Sequence, residues 1–102
     1  MAQDEKIKVT IDSDLEDLIP GYIENRHKDI ASLEAALAQG DLEVAKVLGH
    51  RMKGSGAGYG FDQITEIGRA MELAAKNQDL AEVRHQLEAL RDYMQRVEVV
   101  FN

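Results

Sequence analysis

The sequence predicts an all-α domain, an antiparallel up-down-up-down bundle of four long helices. Three observations support this fold class. Apolar residues recur at helical spacing in four successive segments, these segments are joined by short turns, and the alternation typical of strands is confined to one N-terminal stretch. With 102 residues, of which 44% are hydrophobic, the chain is long enough for one domain with one modest core.

The chain is expected to begin with an extended arm, residues 1–12, followed by a bundle that comprises residues 13–102. The arm contains Ile7–Ile11, in which apolar and polar residues alternate with the period of a strand. Because no second strand is predicted elsewhere, we interpret this segment as an extended arm and not as part of a sheet. Ser13 and Glu16 fit a capping box and predict a short helical turn at the start of the bundle.

The first long helix is predicted to start around Pro20 and to end before Gly40. Proline suits the first turn of a helix, where its missing N–H would have no helical partner, and glycine is favoured just after the last turn. Asp41 then provides a cap for the next helix. The apolar residues of this helix form one face: Ile19, Ile23, Ile30, Leu33 and Leu37.

The later boundaries follow from the same signals. The second long helix is expected to end at Gly60, and Asp62 is the expected cap of the third, which ends at Asn77 or Gln78. Asp79, followed three positions later by a second acidic residue, is the expected cap of the last helix. That helix shows the clearest periodicity of the chain, a 3-4-3-4 apolar repeat: Leu80, Val83, Leu87, Leu90, Met94, Val97 and Phe101.

Composition and charge exclude several classes of function. Cysteine is absent, which excludes disulfides, thiol catalysis and thiolate metal sites. The net charge of −7 disfavours nucleic acid as a partner, because such binding depends mainly on cations that neutralise phosphates. The sequence contains neither an apolar run of about 18 residues nor a recognisable secretory signal, so we expect no membrane association, a cytoplasmic location and, by default, a monomer.

One window of the sequence differs from the acidic remainder. Residues 44–61 contain no Asp or Glu but carry three basic residues, Lys46, Arg51 and Lys53. Five of the eight glycines also lie in this window, although each glycine inside a helix costs about 1 kcal/mol relative to alanine. Such a departure from helix propensity often marks a functional or closely packed position. The window is therefore the first candidate for the functional site.

His50 is predicted to point away from the core. At about 100° per residue, it lies roughly 200° around the helix from the apolar residues two positions before and after it. Lys53 and Gly54, one turn further along, share this outward face, as do Lys46 and Ala57. Lys53 can pair with an anion held at the ring, and Gly54 leaves the approach to the ring open. The alternative interpretation is an ordinary solvated histidine.

The segment His50–Phe61 closely resembles the signature of histidine-containing phosphotransfer (HPt) domains. That signature has a histidine, a Lys-Gly pair three and four positions later, then small residues and an ending in which glycine follows an aromatic or aliphatic residue. The resemblance extends over roughly residues 13–98, including the helix lengths and the turns. Such domains relay phosphoryl groups between the aspartates of receiver domains in bacterial two-component phosphorelays. The resemblance therefore implies a phosphocarrier and not an autonomous kinase, since no ATP-binding motif is visible.

The resemblance implies a role for each residue of the signature. His50 would be the phosphoacceptor, Lys53 would offset the charge of the transferring group, and Gly54 would leave room for the partner. The receiver's acidic pocket would supply the ligands of the magnesium ion that the family needs, so no cofactor or metal site is expected on this chain. The residues expected to face the partner are Lys46, Arg51, Ala57 and Arg69.

Glu72 lies 22 positions after His50 on the neighbouring helix, where related phosphotransfer domains carry a carboxylate or an amide. By that resemblance, Glu72 accepts the Nδ1–H of the ring, holds one tautomer and leaves Nε2 to react. Two alternatives remain open: Glu72 faces solvent, or it pairs with Lys76 or Arg69.

The main hypothesis is a phosphocarrier that takes a phosphoryl group from one receiver domain and gives it to another. A second hypothesis changes the donor: a substrate module phosphorylated at His50 by an ATP-dependent histidine kinase. The third is a helical adaptor that binds its partner without phosphoryl transfer, and the intact Lys53-Gly54 pair counts against it. The glycine-rich segment does not match a phosphate-binding loop, because Lys53 precedes the glycines and no strand comes before them.

Overall fold

A computed structural model of the chain describes residues 5–102 and contains four long helices, as the sequence predicts. A 3-10 helix, Ser13–Leu18, precedes the first of them. The first four residues of the expected arm lie outside the described part of the chain. In chain order the main elements are β1 (Ile7–Ile11), α1 (Ile19–Ala38), α2 (Leu42–Ser55), α3 (Asp62–Lys76), α4 (Leu80–Arg96) and β2 (Val97–Phe101).

Strands β1 and β2 pair in parallel, from Ile7 opposite Val97 to Ile11 opposite Phe101. The prediction that the N-terminal segment has no partner strand is therefore wrong, and the fold is mostly helical instead of all-α. The extension of the last helix to Phe101 is also wrong. Helix α4 ends at Arg96, because the segment that follows is rich in β-branched residues and alternates partly buried with exposed side chains. Val97 and Phe101 fit both periods, which explains the helical interpretation.

Local capping signals predict the starts of α2 and α4 correctly. The Asp41 side chain accepts a hydrogen bond from the N–H of Glu43 (3.0 Å), and the Asp79 side chain accepts one from the N–H of Glu82 (3.1 Å). Each bond satisfies a backbone donor that has no partner within its helix. Gly40 has a φ of +72°, the left-handed conformation that glycine favours just after a helix.

Three other boundaries differ from the prediction. Asp12, and not Ser13, caps the 3-10 helix, because its carboxylate accepts a hydrogen bond from the N–H of Asp14 (2.8 Å). Asp62 is the first residue of α3 and makes no capping hydrogen bond. Helix α2 ends at Ser55, five residues before the glycine that was expected to end it, since a 3-10 turn intervenes.

That 3-10 turn, Ala57–Tyr59, is held against α1 by aromatic rings. Tyr22 stacks on Tyr59, with ring centroids 4.3 Å apart, and on Phe61 at 5.5 Å. Gly60 has a φ of +96° and packs against β1, where an added Cβ would lie 2.9 Å from an isoleucine carbon. These contacts fix the last residues of the His50–Phe61 segment against α1 and β1.

The core lies between the helices, and helices α2 and α3 pack against each other most extensively. No helix within residues 5–102 is long and apolar enough to span a membrane. The largest fully buried side chains are Phe61, Ile11, Leu33, Met52, Ile64, Met71, Leu90 and Val83.

Candidate functional site

His50 lies in the second half of α2, on the outward face that helix geometry predicts. Its side chain is 68% exposed. The two residues before it, Leu48 and Gly49, are buried in the packed face of the helix. The ring is therefore accessible to a partner molecule while the backbone beneath it is held in place.

Glu72 of α3 lies within hydrogen-bond distance of this ring. Its Oε2 atom lies 2.9 Å from the Nδ1 of His50. The Glu72 side chain is only 9% exposed, and Glu72 is the one charged residue that is buried within residues 5–102. Because an ionised carboxylate can only accept hydrogen bonds, Nδ1 is the donor, and in the neutral ring Nε2 keeps a free lone pair.

Two lysines complete the surroundings of the Glu72 carboxylate. The Nζ of Lys53 lies 2.6 Å from Oε1, and the Nζ of Lys76 lies 3.6 Å from Oε2. The hydrogen bond from Lys53 lowers the pKa of Glu72 to about 2; burial opposes this shift, while the bond from His50 and the charge of Lys76 support it. The carboxylate is therefore ionised at neutral pH.

His50 and Glu72 line a groove of about 330 Å³ on the surface of the domain. Its remaining lining is mainly cationic and comes from α2 and α3: Lys46, Val47, Arg51 and Lys76. Within residues 5–102, no three His, Asp or Glu side chains come together in a way that could hold a metal ion. The groove thus presents an oriented imidazole in a positively charged setting.

Comparison with known families identifies the domain that carries this site. The sequence model of the Hpt domain family matches residues 17–99, which is most of the chain. The chain belongs to the Hpt domain family. Domains of this family are phosphocarrier modules for histidine phosphotransfer in phosphorelays, where they interact with receiver domains and histidine kinases. Neither the curated proteins nor the solved structures gave a significant match to the chain.

The Hpt domain brings only some of the expected partner-facing residues to the groove. Lys46 and Arg51 line it, although the Nζ of Lys46 also lies 3.8 Å from a carboxylate oxygen of Glu43. Arg69 pairs with Glu66 on its own helix, at 2.6 Å. The alternative in which Arg69 pairs with the buried carboxylate is therefore not what the structure shows.

Gly54 and Ala57 lie on the exposed surface beyond His50. Apart from the backbone of its own helix and its chain neighbours, no atom of residues 5–102 lies within 4 Å of the position that a Cβ would take at Gly54, so packing does not require glycine there. The N–H of Ala57 donates to the Oγ1 of Thr65 (2.8 Å), which ties the 3-10 turn to α3. The open surface at Gly54 is consistent with its expected role of leaving room for a partner.

Lys76 is a site residue that sequence reasoning considered only as a rival partner for Glu72. It lies one turn after Glu72 on α3, at the spacing of four that favours a pair. The structure shows this pair in addition to the bond from His50, and not in place of it. Nothing in the sequence places the exposed apolar residues Val47 and Leu73 near a site, because their proximity to it depends on how α2 and α3 pack.

Proposed function

We propose that this Hpt domain accepts a phosphoryl group on the Nε2 of His50 from the aspartyl phosphate of one receiver domain. It then passes the group to the aspartate of another receiver, within a bacterial two-component phosphorelay. The observation that carries the proposal is the 2.9 Å contact between His50 Nδ1 and Glu72 Oε2, made by a ring that stays 68% exposed. This contact supports a nucleophile with a fixed tautomer and an accessible reactive nitrogen.

The transfer leaves the Nδ1 proton in place. The Nε2 lone pair attacks phosphorus in line, an N–P bond forms as the P–O bond of the acyl phosphate breaks, and the receiver carboxylate leaves with the electron pair. The phosphorylated ring keeps its Nδ1–H and carries a positive charge, which the Glu72 carboxylate stabilises from 2.9 Å. Attack by the aspartate of the second receiver restores the neutral ring of His50.

Cations beside the ring offset the charge of the phosphoryl group. The phosphoryl group of a phosphorylated serine, threonine or tyrosine carries a charge of about −1.5 to −2 at pH 7, and we expect a similar charge on the group at Nε2. The Nζ of Lys53 lies 2.6 Å from the carboxylate of Glu72. The Nζ of Lys76 lies 3.6 Å from it, and the Lys76 side chain is 54% exposed. Lys76 therefore has more freedom to turn towards the new group, and the two lysines share the neutralisation that the sequence assigned to Lys53 alone.

A receiver domain is the partner that suits the groove. Its acidic pocket complements the cations Lys46, Arg51 and Lys76. Val47 in the groove and Leu73 on α3 add exposed apolar area of the kind found at the centre of interfaces. We expect the magnesium ligands to come from the receiver, and the protein to act as a cytoplasmic monomer with no cofactor or ATP site of its own.

Transfer from a labelled receiver tests the proposal. Wild type, His50→Gln and His85→Gln are each incubated with magnesium and a radiolabelled phospho-receiver. His85 is the matched control, because it is an exposed histidine on α4. We expect label on wild type and His85→Gln only, with the acid lability and alkali stability of a phosphoramidate.

Equal labelling of His50→Gln would refute the proposal. Label that comes only from a histidine kinase with ATP would favour the kinase-substrate module. Receiver binding without any label from either donor would favour the adaptor.

A further inference from the structure

Helices α2 and α3 touch through their backbones at two glycines, one on each helix. A Cβ added to Gly49 would lie 2.8 Å from the backbone nitrogen of Glu72 and 2.9 Å from the carbonyl oxygen of Gly68. A Cβ added to Gly68 would lie 2.5 Å from the backbone nitrogen of Lys53 and 2.6 Å from the carbonyl oxygen of Gly49. Real Cβ atoms do not approach backbone atoms so closely, so a side chain at either position forces the helices apart.

This glycine contact underlies the candidate site. Gly49 directly precedes His50 and packs against the main chain of Glu72, while Gly68 packs against the main chain of Lys53. The side chains of His50, Lys53 and Glu72 therefore project from the region in which the two backbones touch. The helix separation at that point determines how far the Glu72 carboxylate must reach to meet the ring.

We propose that Gly49 and Gly68 are positioning residues for phosphotransfer: they fix the α2–α3 separation at which Glu72 hydrogen-bonds His50. The consequence for transfer rests on the proposed function, whereas the positioning of the ring does not. The bond measures 2.9 Å between Nδ1 and Oε2. Because a contact of about 3.6 Å is no longer a hydrogen bond, a displacement of less than about 1 Å breaks it.

Gly56 provides a control that distinguishes a positioning role from a contribution to stability. A Cβ at Gly56 would lie 2.6 Å from the backbone nitrogen of Thr65 and 2.8 Å from the carbonyl oxygen of Phe61, so this glycine is packed as tightly as the other two. Its contact, however, is with the first turn of α3, about two turns before Glu72. Gly21 is the opposite control, because it lies in α1 and no atom of residues 5–102 outside its own helix backbone and chain neighbours lies within 4 Å of its added Cβ.

The tautomer of His50 is the readout, measured from the imidazole ¹⁵N chemical shifts by NMR. Wild type should show the proton fixed on Nδ1, and Glu72→Ala should show the tautomer mixture of an unrestrained ring. We expect Gly49→Ala and Gly68→Ala to resemble Glu72→Ala. Their phosphorylation rates should fall by about 10-fold or more, by analogy with metal-bound histidines, whose orienting partners contribute about 10- to 100-fold to activity.

The two control variants should behave differently from each other and from the site variants. Gly56→Ala should lower Tm about as much as Gly49→Ala but keep the wild-type tautomer. Gly21→Ala should leave the tautomer unchanged and should not lower Tm, since alanine has the higher helix propensity. A wild-type tautomer in folded Gly49→Ala and Gly68→Ala would overturn the proposal, and so would an equal tautomer change in Gly56→Ala.

If Gly49→Ala and Gly68→Ala both fail to fold, Glu72→Asp tests the positioning proposal instead. It shortens the side chain by one CH₂ and leaves the glycine contact intact. At a fixed helix separation the shorter carboxylate does not reach the ring, so a retained Nδ1 bond in Glu72→Asp would overturn the proposal. No phosphodonor enters the tautomer measurement, so a failed positioning role is distinguishable from a failed phosphocarrier function.

Discussion

Within residues 5–102, two ion clusters connect helix pairs, and their acceptor side chains differ mainly in burial. In the Glu72 cluster, between α2 and α3, the acceptor side chain is 9% exposed and contacts the cluster's three other members: His50, Lys53 and Lys76. In the Arg91 cluster, between α1 and α4, Arg91 contacts Glu34 and Glu88, whose side chains are 52% and 68% exposed. Exposed pairs contribute little, because solvent screens them and ordering their side chains costs entropy. We therefore expect the buried acceptor Glu72, and not the exposed Glu34 or Glu88, to hold its partners in one arrangement.

Removal of the buried acceptor should have the largest effect on phosphotransfer. Glu72→Ala frees the Nδ1 of His50 and leaves Lys53 and Lys76 without their shared partner. We expect the rate of phosphorylation by a phospho-receiver to fall by about 10- to 100-fold. Glu34→Ala, the exposed counterpart, should change the rate by less than about twofold. Equal rates for wild type and Glu72→Ala would show that ring orientation does not limit the transfer.

The contributions of the two clusters to thermal stability should respond differently to acid. The pKa of Glu72 is lowered to about 2 from its ordinary value of 4.5. Its ionised form therefore stabilises the fold fully above about pH 4.5, and this contribution is lost as the pH falls towards 2. Between about pH 5 and pH 2, the Tm of Glu72→Gln should fall less than that of wild type. Glu34→Gln should follow wild type; parallel Tm curves for Glu72→Gln and wild type would contradict the assignment.

The loosely held lysine should give a smaller effect. Lys76→Gln is expected to lower the phosphorylation rate by at most about 5-fold, which corresponds to the upper limit of about 1 kcal/mol for an exposed ion pair. Single-turnover transfer from one phospho-receiver measures this rate. Lys28→Gln, an exposed lysine on α1, is the control. If Lys76→Gln and Lys28→Gln transfer equally fast, Lys76 does not help to neutralise the phosphoryl group.

Loss of the exposed cluster should have the smallest effect. Arg91→Gln is expected to lower the free energy of unfolding by no more than about 1 kcal/mol and to leave phosphotransfer unchanged. Urea unfolding followed by circular dichroism measures the first quantity, and transfer from a phospho-receiver measures the second. A several-fold loss of transfer in Arg91→Gln would contradict the expectation that only the cluster with a buried acceptor affects phosphotransfer.

The features that the sequence predicts well are local. The caps Asp41 and Asp79 and the left-handed Gly40 depend on residues two to four positions away, so short-range hydrogen bonding decides them. The outward direction of His50 follows from the helical repeat alone. Its pairing with Glu72 came from a family resemblance, because spacing within one helix says nothing about a neighbouring one.

The features that the sequence does not predict depend on contacts between distant segments. The pairing of Ile7–Ile11 with Val97–Phe101 was missed, since the apolar residues at 97 and 101 fit a helix and a strand equally well. The spacing within α3 suggests the pair of Lys76 and Glu72, but only the placement of α3 against α2 brings this pair to His50. The same placement shows why the buried glycines at the α2–α3 contact are glycines.

The central claim is that the Nε2 of His50 carries the phosphoryl group while Glu72 keeps the proton on Nδ1. The most direct test is NMR of ¹⁵N-labelled protein that has been phosphorylated by a phospho-receiver. The account predicts coupling between phosphorus and the Nε2 of His50, with Nδ1 still protonated. Phosphorus on the Nδ1 of His50, or on any other residue, would contradict it.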